Sequence, residues 1–131
     1  MKTKAIAIML GIFLFGTAQA EWVEFSTSNK GSLYYDSERI VYMLDEKVAI
    51  WGKIAINEAA WGKPRLENYA YSVSKNVFNC ASEQYNVMSY HEYSIDNKLL
   101  ISRKYTAEEQ PNDVLPGSIA EALMKIACKK E

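Results

Sequence analysis

Histidine and cysteine are scarce in this 131-residue chain: His91 is the only histidine, and Cys80 and Cys128 are the only cysteines. Three such residues rule out most self-contained zinc sites built from nitrogen and sulfur ligands, so neither a metal nor a cofactor is expected. A basic excess is also missing. The 15 Lys plus Arg face 16 Asp plus Glu, a formal charge of −1, whereas a surface that tracks nucleic-acid phosphates needs a positive surplus. There is no Gly-x-Ser-x-Gly, no phosphate-cradling glycine loop and no Cys-x-x-Cys. The length bounds the chain to one domain, with no room for a catalytic domain beside a cofactor domain.

One apolar run is present, and it opens the sequence. Lys2 and Lys4 precede an uninterrupted stretch from Ala5 to Phe15, Gly16-Thr17 break it, and Ala18-Gln19-Ala20 supplies the small residues that signal peptidase requires. The run falls short of the roughly 20 residues that span a bilayer. Residues 1–20 therefore read as a cleaved secretory leader and 21–131 as a single exported domain, with no later membrane span. No cysteine lies near the cut, so a lipid anchor has no acceptor. Loss of Lys2 and Lys4 leaves 13 basic against 16 acidic residues, a net charge of about −3. Export changes how Cys80 and Cys128 are read, because a disulfide is favoured outside the cytoplasm. It would close a loop of almost fifty residues and contribute roughly 4 kcal/mol in the chain-entropy estimate. The functional alternative is a redox pair, which has no Cys-x-x-Cys arrangement to lower a thiol pKa.

After the leader, the pattern is mostly β. Trp22 and Phe25 open a short strand, Ser28 to Gly31 form a turn, Leu33-Tyr34-Tyr35 form a strand, and Asp36-Ser37-Glu38 break it. Arg39 to Leu44 is a further β candidate, rich in Ile, Val and Tyr. Val48, Ile50, Ile54 and Ile56 then share one face with Gly52, while Ala49, Trp51, Lys53 and Ala55 share the other, which is period two. A short helix from Lys47 to Trp61 competes with this strand, because the second face is also largely apolar. Asn57 to Leu66, with Gly62-Lys63-Pro64, reads as a loop. Strands follow at about 67–80, 84–94 and 98–106, joined at Ser82-Glu83 and Asp96-Asn97. Tyr69, Tyr71 and Val73 share a face of the first. Short turns between successive strands imply an antiparallel meander.

The chain changes character after a polar loop at Glu108–Asp113. Ser118-Ile119-Ala120-Glu121 is a capping box: Ser118 oxygen accepts from the Glu121 N–H while the Glu121 side chain reaches back. Ile119, Ala122, Leu123, Ile126 and Ala127 form one apolar stripe that should bury against the sheet. At 100° per residue Cys128 points nearly opposite Ile119. Either the last turn unwinds, or the disulfide clamps the helix from its flank. The fold class is α+β: an antiparallel meander of about five to six strands with a C-terminal α-helix packed on one face and disulfide-linked to it.

No residue set reads as catalytic. Strand alternation sends His91 and Glu92 to opposite faces, so they are not a dyad. Asp36 with Glu38, and Glu108 with Glu109, lie in polar breaks where solvated acids are expected. Aromatics are the richer resource, with nine Tyr and three Trp. Tyr85, Tyr90, Tyr93 and Tyr105 cluster in sequence and are the candidate ligand-binding face, set against plain packing.

The ordered set of Trp22, the Tyr35-Asp36 step before Ile40, the strand Val48 to Lys53, Lys75 and Cys80 in a β segment, the Tyr-rich hairpin, and Val114-Leu115-Pro116-Gly117-Ser118 through Glu121, Ala122 and Leu123 to Cys128 resembles the surface-adhesin protein E family of Gram-negative bacteria. The resemblance implies an antiparallel sheet with a C-terminal helix, a disulfide matching Cys80–Cys128, and no enzymatic activity. It also implies a binding module that contacts host extracellular-matrix or serum proteins and forms homodimers. The family's namesake is a lipoprotein; this sequence has no cysteine at the processing site, which favours a periplasmic or secreted protein and a partner within the envelope as the alternative. The resemblance carries over no catalytic and no binding residue. Export of the full chain should yield a protein beginning at Glu21, which N-terminal sequencing checks; retention of residues 1–20 would overturn the leader.

Overall fold

The computed structural model describes residues 20–28, 31–56, 69–106 and 110–129. The expected leader, apart from Ala20, and the loop expected at Asn57–Leu66 lie outside the described residues. Strands β1 (Trp22–Ser28), β2 (Gly31–Asp36), β3 (Val41–Tyr42), β4 (Lys47–Ile56), β5 (Tyr69–Asn79), β6 (Gln84–Ser94), β7 (Leu99–Lys104) and β8 (Asn112–Asp113) precede helix α1 (Ile119–Ala127). They form one antiparallel sheet in the order β1-β2-β4-β5-β6-β7, with β3 on β4 and β8 on β6. β3 extends the line of β2, because β2 pairs with Gly52–Ile56 and β3 with Val48–Ala49 of the same strand. β8 likewise extends the line of β7 along β6. The sheet therefore has six rows, and the meander and C-terminal helix expected from the sequence are both present.

The period-two pattern of β4 decides what lies inside. Val48 and Ile50 are buried at 5% and 0% exposure, and their register partners Phe78 and Asn76 on β5 fall on the same face. That face receives the helix. Leu123, Met124 and Ala127 complete the core with Val48, Ile50 and Phe78. Leu123 lies over Gly52, where a Cβ would come within 3.2 Å of its Cδ2 atom. The strand reading of 47–56 thus prevails over the helical one, because β4 is paired on both edges.

Three local expectations are corrected. Arg39–Leu44 pairs only at Val41–Tyr42, and Val41, Tyr42, Met43 and Leu44 are exposed, since no layer covers that edge. The expected polar loop at Glu108–Asp113 contains β8 at its end. The buried helix stripe is rotated: Ile119 is 48% exposed, and Met124 enters the core beside Leu123 and Ala127. Its physical cause is the disulfide. Cys80 and Cys128 are bonded, with Cα atoms 5.7 Å apart. Cys128 is the helix C-cap at φ −91 and ψ 6, and its N–H still donates to Met124 O at 2.7 Å, so the last turn stays closed and the disulfide clamps that end to the sheet.

The turn holding Cys80 is itself fixed. Its N–H donates to the Glu46 carbonyl at 2.9 Å, and Asn79 Oδ1 accepts from the Ala81 and Ser82 N–H groups at 3.0 and 3.1 Å. At the other end of the helix, Ser118 Oγ accepts from the Glu121 N–H at 3.1 Å as expected. The Glu121 carboxylate, however, accepts from Gly117 N–H at 3.1 Å, while Ser118 N–H donates to Leu115 O; the box closes one residue early.

Gly52→Val should destabilise the fold by about 1–3 kcal/mol by overpacking Leu123. Gly52→Ala should cost little, because only the tip of one flexible side chain must shift. Urea denaturation of the two variants checks the contrast.

Candidate binding face

Among the described residues no helix lies on the second face of the sheet. Strand alternation and register place Tyr34, Lys53, Val73, His91 and Ser102 in one row across β2, β4, β5, β6 and β7. A neighbouring row carries Trp51, Lys75, Ser89 and Lys104. The face has an aromatic and cationic centre.

Lys53 organises it. Its Nζ lies 4.6 Å from the Tyr71 ring centroid, 5.3 Å from Tyr34 and 5.7 Å from Trp22. The negative ring faces attract the ammonium, each contact contributing about 0.5–1 kcal/mol where water still has access. Beside this cradle, Tyr71 stacks on Tyr93 at 5.0 Å and 12°, and Trp51 on His91 at 6.2 Å and 25°. The Tyr71 hydroxyl donates to Asn97 Oδ1 at 3.0 Å, tying the cluster to the β6–β7 turn. A groove of about 350 Å³ runs along this surface, lined by Trp22, Trp51, Lys53, Tyr71, His91 and Tyr93 among others.

The tyrosines singled out from sequence do not share this face. Tyr93 lies on it. Tyr85 packs on Phe78 at 5.5 Å on the helix side and, with Tyr90, lines a separate groove of about 240 Å³ beside Ile119 and Leu123. The Tyr90 hydroxyl donates to the buried Glu92 carboxylate. Tyr105 follows β7, its N–H bonded to Met88 O at 2.9 Å. Trp51, Lys53 and Tyr71 were visible in the alternation, but only cross-strand register brings them together.

The acids also differ from expectation. Glu38 is exposed, but Asp36 is buried at 1% exposure, because it ends β2 inside a clamp of backbone N–H groups and Arg39. His91 is half-buried, its Nδ1 2.9 Å from Ser102 Oγ, and Glu92 lies on the opposite face. Among the described residues no group of three or more His, Cys, Asp or Glu could hold a metal ion, and no helix is long and apolar enough to cross a membrane.

The described residues define a class of small disulfide-clamped α+β domains, with a helix on one face of the sheet and an aromatic surface on the other. The Surface-adhesin protein E family matches residues 22–129, and the chain belongs to that family. It is accordingly an exported, non-enzymatic module of the adhesin type, whose interactions are with protein. Among solved structures, crystal form II of Haemophilus influenzae protein E is similar, with a TM-score of 0.57 and 12% identity over 85% of this chain and 89% of that one. At that identity the likeness bears on the fold alone. No curated protein sequence matches.

The Tyr71 phenol is held above its ordinary value of 10.0, first by burial and second by Tyr93. A raised phenol makes the unfolded chain ionise first, so this contribution is complete below about pH 10 and is lost as pH rises through the folded value. Tyr71→Phe should remove one phenolate signal that titrates above pH 10 in an alkaline absorbance titration of the folded protein.

Proposed function

We propose that the helix-free face is the partner-binding surface, and that the partner is a host extracellular-matrix or serum protein presenting an acidic segment. The observation that carries this reading is Lys53 held among three aromatic rings on the sheet surface opposite helix α1. Stacked rings present large rigid contact area at little entropic cost, which is how aromatic anchors come to dominate interfaces. Lys53, Lys75 and Lys104 outnumber Glu24, which flanks Tyr34 on the same face, although the protein as a whole is slightly acidic. That separation of charge favours an acidic partner and steers its approach.

A second reading, a partner within the cell envelope, is favoured by the expected processing point: Glu21, rather than a cysteine, would become the mature terminus. Under either reading the outer edges of β1 and β7, which no strand covers among the described residues, supply pairing surfaces for a second copy.

Protease shaving of intact cells, with recovery of the medium, separates the two partners: accessible or released protein supports host contact, and protein confined to the periplasm refutes it. In binding assays with matrix and serum proteins, Lys53→Met combined with Lys75→Met should weaken binding at least tenfold. The remaining affinity should depend less on salt. Unchanged binding in a folded variant would remove this face from the reading.

A further inference from the structure

The start of β1 is gripped more closely than an edge strand requires. Asp36 Oδ1 accepts from the Glu21 N–H at 3.2 Å and from the Glu38 N–H at 3.0 Å, while Oδ2 lies 3.6 Å from Arg39 Nε. The Glu21 carbonyl is held in turn by Ser37, through its N–H at 3.0 Å and its hydroxyl at 3.4 Å. A carboxylate buried this far is costly unless charge and hydrogen bonds meet it. Arg39 supplies one cation, on a side chain 50% exposed. The nitrogen on the other oxygen is the one that leader removal would set free.

We propose that Asp36 is the receptor for the mature N-terminus: the α-ammonium created on Glu21 by export processing binds Asp36 Oδ1 and locks β1 into the sheet. This rests on cleavage between Ala20 and Glu21. In that step signal peptidase uses water to hydrolyse the Ala20–Glu21 amide. The hydroxyl joins the Ala20 carbonyl, which departs with the leader as a carboxylate, and the Glu21 nitrogen takes up protons as an ammonium. A neutral amide with one N–H becomes a cation with three, at the same place. Before cleavage the Glu21 nitrogen gives Asp36 only a neutral hydrogen bond.

The consequence reaches the binding face. Among the described residues β1 pairs with β2 alone, so it is among the segments that open most readily. Its first residue, Trp22, forms one wall of the Lys53 cradle. Processing therefore strengthens the edge that completes the aromatic surface, and the leader-bearing form holds it less firmly. The charged groups of the segment packed against Glu21 are Asp36, Glu38 and Arg39; Arg39 opposes the ammonium but meets the other carboxylate oxygen.

Two proteins released from a cleavable fusion test this, one beginning at Glu21 and one with a single Gly before it. The extension keeps the Glu21 N–H but moves the ammonium about 3.4 Å away. The form beginning at Glu21 should melt about 5 °C higher. The difference should vanish in Asp36→Asn and above about pH 10, where an ordinary α-amine is neutral. Equal melting at neutral pH, or a difference that persists in Asp36→Asn, overturns the proposal. If Asp36→Asn does not fold, the reactivity of the amine decides: acylation of the α-amine should be at least tenfold slower in the form beginning at Glu21 than in the Gly-extended one, and equal rates overturn it. An exported protein that begins elsewhere than Glu21 overturns it as well.

Discussion

The rest of the structure depends on the clamp between Cys80 and Cys128. A helix of nine residues is marginal in water by itself, since nucleation is costly and few bonds repay it. Here it is the only helical cover for the core side of the sheet among the described residues. The disulfide holds its C-terminal end against the β5–β6 turn, and Leu123 settles over the space that Gly52 leaves open. Closing a 48-residue separation contributes roughly 4 kcal/mol through the unfolded chain, a large share of the stability of a domain this small.

A single covered face divides the sheet chemically. One strand carries Val48 and Ile50 to the core and Trp51 and Lys53 to the opposite side. Under the helix, apolar contacts suffice near its C-terminal half, while Ser72, Asn76 and Glu92 are buried farther along the same face, where the Asn76 amide bonds Ser74 Oγ at 3.1 Å. On the face opposite the helix the rings stack on one another and surround Lys53. Such a surface suits recognition of protein without any catalytic group.

Much of this could be read from residues alone. Alternation in β4, the polar turns at Ser82-Glu83 and Asp96-Asn97, and the Ser118 cap are local signals, and each was legible because short-range geometry determines it. The disulfide was legible from composition and export. What escaped was set by tertiary contact. Ile119 belonged to the apolar stripe by spacing, yet the clamp rotates the helix so that Met124 is buried instead. Asp36 looked like a solvated acid in a polar break, yet backbone N–H groups from Glu21 and Glu38 converge on it. The four clustered tyrosines split between two faces, because the bulge between Lys75 and Asn76 and the pairing of β6 are invisible in a linear pattern. The cradle of Lys53 draws on β1, β2, β4 and β5, whose adjacency only the sheet order supplies.

The order in which the chain crosses a membrane gives the disulfide a further meaning. Export threads residues from the N-terminus, so all six rows of the sheet reach the far side before Leu123, Met124 and Cys128 do. Until then Val48, Ile50 and Phe78 face water or a chaperone, and Cys80 waits as a thiol for a partner 48 residues behind it. Oxidation thus marks the end of translocation, and the nascent sheet is open to rescue or degradation until that bond forms.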